Sequence, residues 1–301
     1  MAKAPRSLAG KVVAITGGAR GIGRATAAAL IAQGARVAIG DIDAPLAGQA
    51  AAELGSGTLG LPLDVTDRAS FDAFLTEVEN RLGPLDVVIN NAGIMPIGPF
   101  VDETDATAQR LVDINLHGVI LGSKLALARF MLRGRGHLVN IASVAGKGGF
   151  PGGATYCATK HAVVGLSEAI RGELKALGHD GISVSCVMPN IVGTELGTGI
   201  EATRFSPMLT PEQVAEETLL ALKEDRFEVY VPRSAKGVMY VSSLLPRRGR
   251  EAMARAAKVD RMMLDANMEA RKGYELRAAH SEPGLEPGAS PEQLTERAGS
   301  S

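Results

Sequence analysis

Tyr156 and Lys160 stand four residues apart in Tyr-Cys-Ala-Thr-Lys. On a helix that spacing puts both side chains on one face, so a phenol and an ammonium can address the same ligand atom. A free phenol, with a pKa near ~10, is a poor base at neutral pH. A neighbouring ammonium, joined by a positively charged ring, favours the phenolate and brings it toward working range. Such a pair is frequent by chance and needs partners. One is Thr16-Gly-Gly-Ala-Arg-Gly-Ile-Gly23, which follows an apolar run and opens an Ala-rich stretch at Ile22. Gly17, Gly21 and Gly23 permit a tight turn whose backbone can approach a pyrophosphate, and a helix N-terminus suits that charge. The spacing departs from G-x-G-x-x-G, and an ordinary Gly-rich turn is the plain alternative. Asp41 lies 24 residues after Gly17, close to the ~20-residue offset of a carboxylate that binds ribose hydroxyls. That carboxylate repels a 2′-phosphate and favours NAD over NADP. Arg20 pulls the other way, but Asp41 touches the discriminating hydroxyl and is expected to prevail. A solvated turn aspartate beside Asp43 is the alternative for Asp41.

These residues must be positioned by alternating short β-branched runs and helical stretches. The patterning predicts strands at 12–15, 36–39, 60–63, 87–90, 137–141, 183–187 and 227–231. Helices are expected at 22–33, 46–54, 68–82, 104–133 and 156–177. Another opens at Thr210, with Pro211 in the first turn and Gln213 able to complete a capping box. Strands apolar throughout, each followed by a helix, indicate a parallel sheet covered on both faces. The expected fold is α/β: a doubly wound parallel sheet of about seven strands, a Rossmann fold.

The 301 residues carry 32 basic and 33 acidic side chains, are 46% apolar, and include 36 Gly and no Trp. Near-neutral charge gives no general electrostatic handle for nucleic acid, and no such partner is expected. Cys157 and Cys186 cannot form a disulfide framework. Together with the absence of a charged, then apolar, leader, this predicts a cytoplasmic setting. No stretch is expected to approach the ~20 apolar residues of a spanning helix. His117, His137, His161, His179 and His280 show no ligand pattern, so no metal is expected. Cys157 points away from Tyr156 on a helix and reads as packing, and His161 as helix surface or interface.

Five motifs in order and spacing resemble the short-chain dehydrogenase/reductase family: Thr16 to Gly23, Asn90-Asn-Ala-Gly93, Asn115, Ser143 and Tyr156-x-x-x-Lys160. The similarity covers about residues 8–232. It implies an alcohol dehydrogenase or ketone reductase using NAD, with NADP the alternative, and a homodimer or homotetramer. It implies Tyr156 as general acid/base and Ser143 as the group holding the reacting oxygen. Lys160 is implied on the nicotinamide ribose, and Asn115 as holder of a water linking Lys160 to solvent. Asp64 and Val65 are implied at the adenine, Asn91 near the adenosine ribose, and Val192 and Thr194 at the nicotinamide. One departure is Pro189-Asn190 where the family commonly has Pro-Gly; asparagine tolerates left-handed angles, so the turn is expected to survive. An NADP-dependent carbonyl reductase and a non-catalytic dinucleotide-binding protein are the rival readings.

Met95, Ile97, Phe100, Phe150, Phe205 and Met208 fall in segments that follow strand ends, where ligands bind in this fold. They suggest a lipophilic alcohol or ketone, although half could be plain core. The domain reading is 1–232 catalytic, 233–280 a basic helical extension, and 281–301 a disordered tail. Residues 233–272 hold ten basic against four acidic side chains. Packing on the pocket or on another subunit fits this segment better than a weak membrane-surface contact through 237–250, because the apolar run is short.

Overall fold

The computed structural model describes residues 5–203 and 206–280. The strands are β1 Val12–Thr16, β2 Arg36–Asp41, β3 Leu59–Pro62, β4 Val87–Asn90, β5 Gly136–Ile141, β6 Ile182–Pro189 and β7 Glu228–Val231. They form one sheet in the order β3-β2-β1-β4-β5-β6-β7, parallel throughout. The chain starts at the centre, winds outward to β3, then returns to β4 and winds the other way. The reversal between β1 and β4 is the crevice where a doubly wound sheet holds its ligand.

Successive residues of a strand face opposite sides, and here each side has its own core. Val13, Ile15, Val37, Ile39, Val139 and Val229 pack against α1 (Gly21–Ile31), α2 (Ala44–Leu54) and α7 (Pro211–Glu224). Val12, Ala14, Ala38, Val88 and Leu138 pack against α3 (Arg68–Leu82), α5 (Gly118–Arg133) and α6 (Ala154–Ala176). Each fully buried Val, Leu, Ile or Phe side chain contributes roughly 1.5–3 kcal/mol. This two-sided burial explains why the strand runs lack polar alternation.

The helical stretch expected at 104–133 is α4 (Asp105–Val112), a π-helical turn at Asp113–His117 and then α5. Its apolar character corrects one expectation. The run 105–133 contains a window of mean hydropathy 1.4, long and apolar enough to cross a membrane, and half of that window is buried inside the protein. Leu121, Leu125 and Phe130 spend that apolarity on the sheet. The expected capping box forms, Thr210 and Gln213 each accepting from the other's backbone N–H.

Past β7 the chain is helical, as expected, with α8 (Ser234–Leu244), α9 (Arg247–Ala256) and α10 (Met268–His280). Residues 281–301, read from sequence as a disordered tail, lie outside the described residues.

Candidate active site

A cleft of about 1520 Å³ runs along the carboxyl ends of the strands. That exceeds the ~300–1,000 Å³ of a typical single-ligand site and leaves room for a dinucleotide with a second molecule. At one end sits the Gly-rich turn between β1 and α1. Gly17 and Gly21 have φ of 62° and 53°, a region L side chains avoid. A Cβ on Gly17 would lie 2.8 Å from Ala92 Cα. Asn91 donates to the carbonyls of Thr16 and Gly17, both at 2.9 Å, and so clamps this turn. Helix α1 starts without a side-chain cap and without an acid in its first turn, whereas Asp43, Asp67, Thr104 and Thr210 cap α2, α3, α4 and α7. Its first N–H groups and dipole therefore suit an anionic group.

Asp41 ends β2 at the same end of the cleft. Its two carboxylate oxygens accept from Ala19 N and Asp43 N, each at 3.2 Å. Burial pushes its pKa up, against those two amide bonds. Each oxygen keeps a lone pair for a hydroxyl donor. Arg20 is engaged on both sides, 3.1 Å from Asp43 and 3.1 Å from Glu195. The cation that competes with Asp41 in the sequence is thus already matched by two carboxylates.

At the other end, Ser143, Tyr156 and Lys160 converge, all buried and all on the cleft wall. Ser143 leaves β5, its Oγ accepting from Ala145 N at 3.1 Å and donating to Pro189 O at 3.3 Å. Ser143 lies near the Tyr156 hydroxyl and in part opposes the upward push that burial gives its pKa. One turn along α6, Lys160 donates to Ile141 O at 3.0 Å, with Nζ 5.7 Å from the centre of the Tyr156 ring. The Lys160 ammonium is not among the groups that lower the phenol's pKa. Burial outweighs other effects, pushing Tyr156 up to about 12 and Lys160 down to about 8. The ammonium spends a proton on the Ile141 carbonyl, and both groups are largely buried in the cleft wall.

The cleft brings together thirteen of the fifteen residues singled out from sequence, including Ile22, Asp64, Val65, Asn91, Val192 and Thr194. Gly23 and Asn115 act from behind. A Cβ on Gly23 would fall 2.3 Å from Gly17 O, so this glycine lets α1 close onto its own turn. Asn115 spends its side chain on the Ile94 backbone, accepting from Ile94 N and donating to Ile94 O, both at 2.8 Å. The Asn115 side chain thereby braces the Ile94 loop. Asp64 turns its carboxylate onto Thr66 N and Oγ1, at 2.9 and 2.7 Å. Asn190 has no left-handed backbone; its side chain donates to Ser206 Oγ at 3.0 Å and holds the following loop.

Of the apolar residues proposed for the pocket, Met95 and Phe150 line it. Ile97 is core, Met208 lies off the cleft wall, and Phe100 is 66% exposed. Phe205 lies outside the described residues. Their places are taken by Met262, Met263 and Tyr274 from the basic extension. Arg271 on α10, 0% exposed, fixes this cover. It donates to Leu196 O, Thr198 O and Met95 O at 2.7–2.8 Å and to Glu275 at 2.7 Å. Tyr274 Oη accepts from Met95 N at 2.6 Å. The only sequence signals were a Tyr among charged residues and an Arg-Glu pair four apart.

A profile described as short chain dehydrogenase matches residues 11–204. The chain is 41% identical over 197 residues to a sorbitol dehydrogenase of Cereibacter sphaeroides, spanning 65% of this chain and 75% of that one. It is 39% identical over 202 residues to a 3-alpha-(or 20-beta)-hydroxysteroid dehydrogenase of Mycobacterium tuberculosis, spanning 67% and 76%. The fold matches a Burkholderia phymatum short chain dehydrogenase/reductase solved in complex with NAD, with TM-score 0.73, 24% identity, and coverage of 79% and 94%.

Proposed function

From the premise that this chain belongs to the short-chain dehydrogenase family and is an oxidoreductase of CH–OH groups, we propose that it works with NAD on a lipophilic secondary alcohol or ketone, with Tyr156 moving the proton. The observation that carries this reading is one cleft with an uncapped Gly-rich helix start at one end and Ser143, Tyr156 and Lys160 converging at the other.

The residues present fit the dinucleotide. The first turn of α1 would hold the pyrophosphate, Asp41 the adenosine ribose, Asp64 and Val65 the adenine edge, and Val192 and Thr194 the nicotinamide side. When bound, NAD supplies a ring carbon that accepts or returns hydride. Ser143 holds the substrate oxygen by hydrogen bond and stabilises charge developing on it. Tyr156 exchanges a proton with that same oxygen. A phenol pushed up to about 12 rests protonated, poised to donate in the reducing direction. In the oxidising direction it needs added positive charge nearby, which Lys160 supplies in part while it keeps its proton. Arg20 is matched by Asp43 and Glu195, which supports NAD over NADP.

Support for a lipophilic substrate comes from the wall beside Tyr156, where Met95, Phe150, Met262 and Met263 form one apolar cluster with it. Family membership supports a homo-oligomer, and the neutral, cysteine-poor composition supports a cytoplasmic setting. Fluorescence titration with NAD and NADP, followed by a panel of alcohols, tests the proposal. NAD is expected to bind more tightly, and bulky apolar secondary alcohols to turn over faster than small polyols. Faster polyol turnover, or an NADP preference, would overturn those parts.

A further inference from the structure

Among the described residues, helix α8 presents a largely exposed apolar face. Val238, Tyr240, Val241 and Leu244 are 57%, 66%, 55% and 68% exposed, and α8 buries no residue fully. Tyr240, Val241 and Leu244 are spaced to share one face of the helix, with Val238 at its edge. Lone exposed apolar residues need no explanation, but four on a single short helix form a patch that water disfavours. Pro246 then turns the chain into α9, which carries Arg247, Arg248, Arg250 and Arg255 against one acid, Glu251. Arg247 pairs with Glu251 at 3.0 Å, while Arg248 and Arg255 form no ion pair among the described residues. Cations thus border an apolar stripe within a segment carrying six excess positive charges, on a chain of net charge −1.

The inner faces of the same two helices belong to the cleft. Ala235, Met239 and Ser242 of α8 and Met253 and Ala254 of α9 line it together with Tyr156. Val238 does both, lining the cleft while more than half exposed. Through Val238, exposed apolar surface on α8 continues into the pocket.

We propose that α8 and α9 dock this protein onto an anionic phospholipid surface and form the portal through which an apolar alcohol passes from lipid into the cleft. The apolar stripe meets the acyl boundary and the arginines meet the headgroups, as in a helix lying in the interface plane. Docking stands on the exposed stripe and its cations; the portal rests in addition on the lipophilic-alcohol reading above.

The test is flotation of the full chain with vesicles of phosphatidylcholine alone, or with about one-third phosphatidylserine, at low and high salt. Binding is expected on the anionic vesicles and is weakened by salt. Arg248→Gln with Arg255→Gln is expected to weaken it about 25-fold, at roughly fivefold per cation. Val241→Asp with Leu244→Asp is expected to abolish it. None of these four residues lines the cleft, so both variants should turn over a water-soluble alcohol like the wild type, which also reports on folding. Activity on an apolar alcohol presented in vesicles should fall with binding. No binding to anionic vesicles, or binding unchanged in the Asp variant, overturns the proposal. So does concentration-dependent self-association, lost in the Asp variant, without lipid binding, which would assign the stripe to a second copy of this chain. Vesicle binding in a protein that turns over no alcohol would instead sink the proposed function and leave docking intact.

Discussion

Replacing Arg271 by Met keeps most of the apolar stem of the side chain and removes its guanidinium. The consequence follows from what that group holds. Four hydrogen bonds of 2.7–2.8 Å are lost, three of them to carbonyls of the loops at Met95 and Leu196–Thr198. Burial raises the pKa of Glu275, and the Arg271 cation opposes that rise; without it the half-buried acid keeps only the Ile97 amide as a partner. Breaking a buried pair in this way costs about 3–5 kcal/mol. Against it stands the docking of one helix through few buried side chains, notably Tyr274 and Ala278. The variant is therefore expected to release α10 while the seven-stranded sheet stays folded. Hydrogen exchange over 262–280 should accelerate by at least a hundredfold, trypsin should cut near Arg277, and KM for an apolar alcohol should rise more than kcat falls. Glu275→Gln added to this variant should recover part of the loss, because it removes the unmatched charge. Unchanged exchange over 262–280, or global unfolding together with the sheet, would refute the assignment of Arg271 as the pin of this cover.

Four further outcomes follow from the geometry. His137 is buried between β5 and β6, with its ring 2.8 Å from Ser185 Oγ and its pKa pushed down by burial to about 4. The unfolded chain takes up this proton near pH ~6.5 and the folded protein only near 4, so stability is full above that range and falls by about 3 kcal/mol across it. Urea unfolding at pH 7.5 and 4.5 should show the loss, and His137→Gln should flatten it. Gly23→Ala drives a Cβ to within 2.3 Å of Gly17 O and should weaken NAD binding at least tenfold by fluorescence titration. Asp41→Ala removes the ribose acceptor, worth about 1.5–3 kcal/mol for a charged hydrogen bond; NAD affinity should drop tenfold or more while NADP affinity rises. Alcohol oxidation should increase with pH above 7, because burial keeps Tyr156 protonated, whereas ketone reduction should not; a flat oxidation profile would contradict the proton assignment.

Much of this was legible in the residues because the motifs are local. The apolar strand runs announced a sheet buried on both faces, and Tyr156 with Lys160 shared a helix face through spacing alone. Gly17 to Gly23 announced a tight turn, although the function of Gly23 depends on where Gly17 O lies in space. The acidity of Tyr156 was not legible, since pairing can be read from spacing but burial cannot, and here burial dominates. The brace that Asn115 gives the Ile94 loop was not legible for a related reason: its partners, the backbone groups of Ile94, are 21 residues away. Arg271 was hardest to see. It stood as one of ten cations in a basic segment, and only the folded chain removes it from water and sets it against loops more than 70 residues distant. Phe100 erred in the opposite sense, an aromatic in a ligand-facing segment that turns to solvent.

The most direct test of the central claim compares wild type with Tyr156→Phe in two readings from one sample, dinucleotide affinity by fluorescence and hydride transfer in a single turnover of a secondary alcohol. A positioned general acid/base contributes ~10²–10⁴-fold, so the rate should fall by at least a hundredfold while affinity stays within about twofold. A variant that transfers hydride within tenfold of wild type would contradict the assignment of the proton to Tyr156.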